Sequence, residues 1–265
     1  PVNSVYVDYI QLKRQCQQKK WKLTDGIDFI PAHDIVIYII YGGEKRMKNT
    51  NVQIIKEDAH TYRIEDDFVR FFLLEGETSA LLIDSGVDTP DAKEIAMSLT
   101  SKNVMLLNTH GDGDHTSGNG AFPSYYIGKE DYDACNMAEM FPRSVPGFLQ
   151  DGQIIDLGNR PLTVYQIPGH TVGSVAVLDT KNRTIYTGDS VSTAIIYMFG
   201  KLRSMEQYKK SLEKLNRLKS EFDVIRPSHG VPSLGSDAIA LVQTQLEYAL
   251  NLFRNFIMLL TESGG

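Results

Sequence analysis

From Ala59 onward, apolar residues fall mostly in short unbroken runs bounded by Gly, Asn, Asp or Pro, and only three stretches switch to helical spacing. The run Phe68–Leu74, the turn Glu75-Gly76-Glu77-Thr78 and the run Ala80–Asp84 predict a β-hairpin. Val104–Asn108 reads as a short buried strand. Further strands are predicted at Gln153–Leu157, Leu162–Ile167, Ser174–Leu178 and Arg183–Thr187, the last two turning at Lys181-Asn182, and at Asp223–Arg226. The first helix should open at Thr89-Pro90, an N-cap followed by proline at the first helical position, and run to Leu99. Ser204 and Gln207 have capping-box spacing ahead of Tyr208, Leu212, Leu215 and Leu218 on one helix side. A C-terminal helix, about 236–260, repeats apolar residues at Leu246, Leu250, Phe253 and Ile257.

Residues 1–58 do not follow this rhythm and read as an N-terminal extension, in which Ile35–Tyr41 has the look of a buried strand and Tyr6–Lys20 fits helix or strand. Residues 59–265 form the predicted α/β domain. The segment Asp131–Gly152, rich in Met, Phe and Pro, has no clear period.

The polar residues gather where strands stop. After Val104–Asn108 comes Thr109-His110-Gly111-Asp112-Gly113-Asp114-His115. After the later strands come Pro168-Gly169-His170, Gly188-Asp189 and Ser228-His229-Gly230. Strand ends are where α/β folds bind ligands. Four of the six histidines, His110, His115, His170 and His229, lie at these ends, whereas His33 and His60 do not. One loop histidine is ordinarily a solvated or capping residue, and Asp189 alone could cap a turn. Together such readings leave the shared placement to coincidence, and clustered carboxylates repel one another unless a cation neutralises them. Imidazoles with carboxylates and no thiolate are the ligand set of zinc, iron or manganese.

The motif H-x-D-x-D-H at 110–115, Pro-Gly-His-Thr-Val-Gly-Ser around His170, Gly-Asp-Ser around Asp189 and Ser-His-Gly around His229 resemble, in order and spacing, the metallo-β-lactamase superfamily. Leu82-Ile83-Asp84-Ser85-Gly86 also looks like that family's opening strands, so the resemblance covers roughly residues 60–235. It implies an αβ/βα four-layer sandwich with a two-metal site along one edge. It further implies one divalent ion held by His110, Asp112 and His170, a second by Asp114, His115 and His229, and Asp189 bridging both. In that family a bridging hydroxide is the nucleophile, and Asp114 would orient it or take its proton. The departure is Asp112, where the commoner pattern has histidine. The protein ligands would then bring three formal negative charges to two dications, shifting preference from zinc, the usual ion, toward manganese or iron.

Composition narrows the reaction. The formal net charge of −6 and pI near 5.5 argue against nucleic-acid partners. Two distant cysteines without a CxxC suit a reducing compartment, and with no export signal or bilayer-length apolar run visible the expectation is a cytoplasmic protein with no membrane partner. The function expected is hydrolysis of a small ester-like molecule: an ester, thioester, lactone, phosphoester or sulfate ester. A di-iron redox enzyme of the flavodiiron type shares this fold and carries a carboxylate where Asp112 sits, but would need a fused flavin domain for which no chain remains. A non-catalytic metal-binding member would have lost ligands, and none of the seven positions is vacated. Pocket walls are expected from 131–150 and from Ser190–Arg203, whose Tyr197, Met198 and Phe199 either pack into the core or, if exposed, form an apolar pocket wall with the Tyr197 hydroxyl bonding a substrate carbonyl. The apolar C-terminal helix permits a homodimer, with packing on its own core as the simpler use.

Overall fold

Two β-sheets face each other because their strands are apolar on both sides. In the computed structural model, which describes residues 52–262 and the side chains of 52–252, the first sheet has seven strands in sequence order. They are β1 (Gln53–Asp58), β2 (Thr61–Asp66), β3 (Val69–Glu75), β4 (Ser79–Ile83), β5 (Asn103–Leu107), β6 (Ser124–Ile127) and β7 (Val145–Phe148). The second sheet runs β13 (Leu234–Gly235), β12 (Val224–Pro227), β11 (Thr184–Gly188), β10 (Val175–Asp179), β9 (Pro161–Gln166), β8 (Ile154–Asp156).

Alternation within each strand explains the layers. Phe72 and Leu74 of β3 with Leu81 and Ile83 of β4 point inward, where they meet Leu162, Val164, Val175 and Val177 of the second sheet. Their neighbours Phe71, Leu73, Ala80 and Leu82 point outward and are covered by α1 (Ala92–Leu99) through Ala92 and Ala96. On the other outer face, Ala176, Leu178, Ile185 and Ile225 pack under α5 (Met205–Arg217) and α6 (Ala238–Glu262). The result is the expected αβ/βα sandwich. Strands buried on both faces carry unbroken apolar runs rather than alternation, which is how they read in the sequence.

Several elements differ from expectation. β1 lies within the stretch read as an extension, yet pairs antiparallel with β2, so the sheet begins before the boundary placed at residue 58. Its residues are largely exposed, and an edge strand with little burial carries no apolar signal. α1 starts at Ala92 with Asp91 as N-cap, not at Thr89. The buried Asp66 carboxylate holds that segment in a loop by accepting from Val87 N, Asp88 N and the Thr89 hydroxyl. The segment without a period contains α3 (Lys129–Ala134), α4 (Met137–Met140) and β7, all too short for a period to register. Ser204 caps α5 as expected, its Oγ accepting from Gln207 N. α6 packs on its own core through Ile239, Val242, Leu246 and Leu250, leaving Leu241, Tyr248 and Leu252 exposed. Tyr6–Lys20, Ile35–Tyr41 and the side chains of Phe253 and Ile257 lie outside the described residues.

The two sheets are tied at the end where polar loops emerge. Val175 N donates to Thr109 O at 2.8 Å and Arg70 N to Ser228 O at 2.9 Å. At the opposite side, the buried Arg160 guanidinium pairs with buried Asp179 and donates to His60 O, Glu75 O and Thr61 Oγ1 of the first sheet. No described helix is long and apolar enough to cross a membrane.

Candidate metal centre

The loops after β5, β9, β11 and β12 converge and bring all seven expected residues together. The loop after β5 carries α2 (Gly113–Thr116), with Asp112 at its N-cap, and so presents His110, Asp112, Asp114 and His115 in one short loop and helical turn. The second sheet supplies His170, Asp189 and His229. Asp189 follows Gly188, whose φ of +54° is a left-handed conformation suited to glycine, and a Cβ there would meet Thr109 Oγ1 at 2.6 Å. That close approach brings Asp189 against the first loop. Gly113, by contrast, has open space around it, so only part of the glycine content of the motif is sterically required.

Two groups of ligand atoms result, His110, His170 and Asp189 in one and Asp114, His115 and His229 in the other, each within 4.8 Å of one another. Asp189 Oδ2 lies 3.5 Å from His170 Nε2, while Oδ1 lies 3.3 Å from His115 Nε2 and 3.2 Å from His229 Nε2. One carboxylate thus turns an oxygen to each group. Asp112 Oδ2 stands 3.6 Å from His110 Nε2 and 3.4 Å from His170 Nε2. Asp114 Oδ2 stands 3.6 Å from His115 Nε2 and 3.3 Å from His229 Nε2. Tetrahedral bonds of about 2.0–2.2 Å to one ion set nitrogen and oxygen ligands about 3.3–3.6 Å apart, so these spacings fit. Three atoms aimed into the centre, His110 Nε2, His170 Nε2 and Asp189 Oδ1, are buried without a hydrogen-bond partner. Such groups are costly to bury unless something coordinates them.

Each of the four histidines of the centre is oriented from behind. The Nδ1 atoms of His110, His115, His170 and His229 meet Thr109 Oγ1 (3.0 Å), Asp84 Oδ2 (2.9 Å), Tyr197 O (3.1 Å) and Phe68 O (2.9 Å), which leaves each Nε2 for the centre. Asp84, buried and at φ +66°, also accepts from Thr109 N and Oγ1. Buried Asp131 joins the two histidine loops, accepting from Gly111 N, Thr171 Oγ1 and Gly173 N. Arg70 Nη2 donates to Gly230 O at 2.6 Å and steadies the His229 loop. Arg203 pairs with Asp112. These supporting residues escaped the sequence reading. Asp84 had one signal, its place in the motif 82–86, but nothing marked Asp131, Arg70 or Arg203 as partners.

The segment 190–203 runs as a strap beside the site. Ser192 Oγ donates to His229 O, Val231 N to Thr193 Oγ1, and Tyr197 O accepts from His170. The expected apolar trio divides: Met198 packs into the core, whereas Tyr197 and Phe199 are exposed and meet edge to face at 5.7 Å. Phe68, also exposed, stacks over His229 at 5.8 Å.

Charge is unevenly shared. Burial works to raise the Asp189 carboxyl, but the His115 and His229 rings override it and hold it well below the usual range. Burial opposes charge on His115 too, and Asp189 and Asp84 lift it well above the ordinary value. His229, pressed down by burial, is raised by Asp114 and Asp189 to about 9. Burial dominates at His170 and lowers it. Without metal, then, the surrounding carboxylates favour positive charge on the His115–His229 pair, whose Nε2 atoms lie 3.3 Å apart. A raised histidine stabilises the fold fully below its unfolded value near 6.5 and ceases to as pH passes 9. An ion must displace the protons that carry this charge. Thermal melts in chelator should therefore fall between pH 6.5 and 9, while apparent zinc affinity by competition titration rises over the same range. A zinc affinity flat with pH would contradict this.

The sequence profile of the metallo-beta-lactamase superfamily matches residues 64–229. Hydroxyacylglutathione hydrolase of Cereibacter sphaeroides is 30% identical over 108 residues, 40% of this chain and 42% of that protein. Acyl-coenzyme A thioesterase MBLAC2 of Homo sapiens is 46% identical over 43 residues, 16% of this chain and 15% of that protein. The chain thus aligns with less than half the length of either relative. Among solved structures, the metallo-beta-lactamase from Pontibacter korlensis superposes with TM-score 0.63 at 16% identity, over 74% of this chain and 99% of that one. The metallo-beta-lactamase FIM-1 from Pseudomonas aeruginosa gives 0.64 at 16% identity, over 77% and 98%. At such identity these show a shared fold.

Proposed function

On the premise that the chain belongs to the metallo-β-lactamase superfamily and is a hydrolase of that family, we propose that it cleaves a thioester with an apolar acyl part at a two-metal site. The observation that carries the two-metal reading is Asp189, with one oxygen toward each histidine group. His110, Asp112 and His170 would hold one ion and Asp114, His115 and His229 the other. Such a pair supplies Lewis acidity, which acidifies water and polarises a carbonyl. Zinc fits the spacings, and manganese or iron fit the carboxylate share.

The chain's own residues do the rest. Burial works to raise the Asp114 carboxyl, but His229 and His115 lower it, so it is ionised at neutral pH, able to orient the attacking water and accept its proton. Exposed Phe68 stacks on His229, and exposed Tyr197 and Phe199 pair beside the backbone carbonyl that holds His170; together they would offer an apolar mouth, with the Tyr197 hydroxyl as donor to the substrate's carbonyl region. Exposed aromatics at a polar centre suit a molecule with one apolar arm. The choice of thioester over other esters draws on the names of the two relatives. The small-molecule substrate, the lack of nucleic-acid or membrane partners and the cytoplasmic setting belong to the same proposal, on the charge and cysteine usage.

The test is a panel of acyl-CoA and acylglutathione thioesters, oxygen esters, lactones, phosphodiesters and sulfate esters, run on metal-reloaded protein. Thioesters should turn over fastest, with KM falling roughly fourfold for each methylene that reaches the aromatic mouth. Faster lactone or phosphodiester cleavage, or a KM indifferent to acyl length, would sink the thioester reading.

A further inference from the structure

Asp112 is the residue that departs from the commoner imidazole pattern, and it is also the one carboxylate of the centre with a fixed cation beside it. Arg203 Nη2 donates to Asp112 Oδ2, the same oxygen that faces His110 Nε2 at 3.6 Å and His170 Nε2 at 3.4 Å. Among the described residues no Lys or Arg pairs with Asp114 or Asp189, whose neighbours are histidines. Nor is this an ordinary surface pair. The Arg203 side chain is 13% exposed, and its Nε is buried without a partner. Burying a guanidinium with one donor unmet is a cost that a solvated bridge would not bear. The backbone fixes where the side chain starts: Ser204, next in the chain, caps α5 and donates its N–H to Gly169 O, beside His170.

We propose that Arg203 is a positioning residue that makes Asp112 the charge equivalent of a neutral ligand, and so sets affinity and metal preference at the His110–Asp112–His170 position. This rests on the two-metal reading above. Three carboxylates bring three negative charges, and Arg203 returns the net to the two that a centre with histidine at 112 would carry. The guanidinium also draws density from the oxygen that would meet the ion, weakening it as a donor. The shift toward harder ions implied by an aspartate at this position is thereby offset within the protein itself.

A double-mutant cycle on the full chain decides it, read as zinc and manganese stoichiometry by native mass spectrometry and as affinity by chelator competition, with melts in chelator as the folding control. Asp112→His strands Arg203 against a dication, and should cost at least about tenfold in affinity for one of the two ions. Arg203→Met added to it should restore wild-type affinity. Arg203→Met alone should tighten zinc about tenfold and retain manganese better than wild type, while Arg203→Lys, which keeps the charge, stays nearer wild type. Asp112→His binding both ions at full strength would overturn the inference. So would Arg203→Met that moves KM while leaving metal affinity alone, since Arg203 would then be a substrate contact. A wild type that takes up fewer than two ions overturns the two-metal reading and this inference with it.

Discussion

Replacing Asp189 with alanine abolishes turnover, on the order of a thousandfold or more, and removes the rise in melting temperature that added metal gives the wild type. The size follows from position. A partner behind a ligand, such as Asp84 behind His115, is expected to cost about 10–100-fold when removed. Asp189 faces both groups of histidines at 3.2–3.5 Å, so in the proposed two-ion centre its loss would take an oxygen from both ions and the only charge they would share. Asp189→Asn separates charge from shape, because the amide keeps the volume and offers one carbonyl oxygen. It should keep one ion and lose the other. Activity assays beside metal stoichiometry check both variants. Wild-type turnover in the alanine variant would remove Asp189 from the chemistry.

The largest effect on stability is expected far from the metals, at Arg160. Arg160→Met should lower stability by about 3–5 kcal/mol, because it leaves the Asp179 carboxylate buried without its cation. In a domain of this size that corresponds to a fall of roughly 10 °C or more in Tm. The guanidinium also satisfies His60 O, Glu75 O and Thr61 Oγ1, so one side chain joins the β8–β9 turn to the first sheet. Changing Asp179 to leucine in the same chain removes the stranded charge and should recover part of the loss. Thermal and denaturant melts of the single and double variants are the measurement. A single variant that melts with the wild type would mean that water replaces the guanidinium at no cost.

The sandwich and the seven converging residues were legible because both rest on local signals. Runs such as Phe71–Leu74 and Ala80–Ile83 can be satisfied only between two layers, and turn residues mark where they stop. The candidate ligands sit at those stops in short motifs. What was not legible depends on through-space pairing or on weak burial. β1 is polar because it is an edge. Asp66 outcompetes a helix start at Thr89 from a strand well upstream. Asp131 and Arg70 look like surface residues in the sequence, yet each is buried and bonded to a loop that carries a histidine. Arg203 ends a stretch read for its aromatics, and only folding brings it against Asp112, 91 residues away in the chain. The irregular stretch 131–150 became two short helices and a strand whose lengths are below what periodicity detects.

Each ligand group draws on both sheets. His110 stands with His170 and Asp189, and Asp114 and His115 stand with His229. Neither half of the chain can therefore assemble an ion site before the two halves have met. Ions would arrive after the decisive docking event, so they should leave the refolding rate nearly unchanged and slow the unfolding rate instead. A loaded molecule would escape proteolysis for longer without having been made any faster, and a starved one would be cleared first.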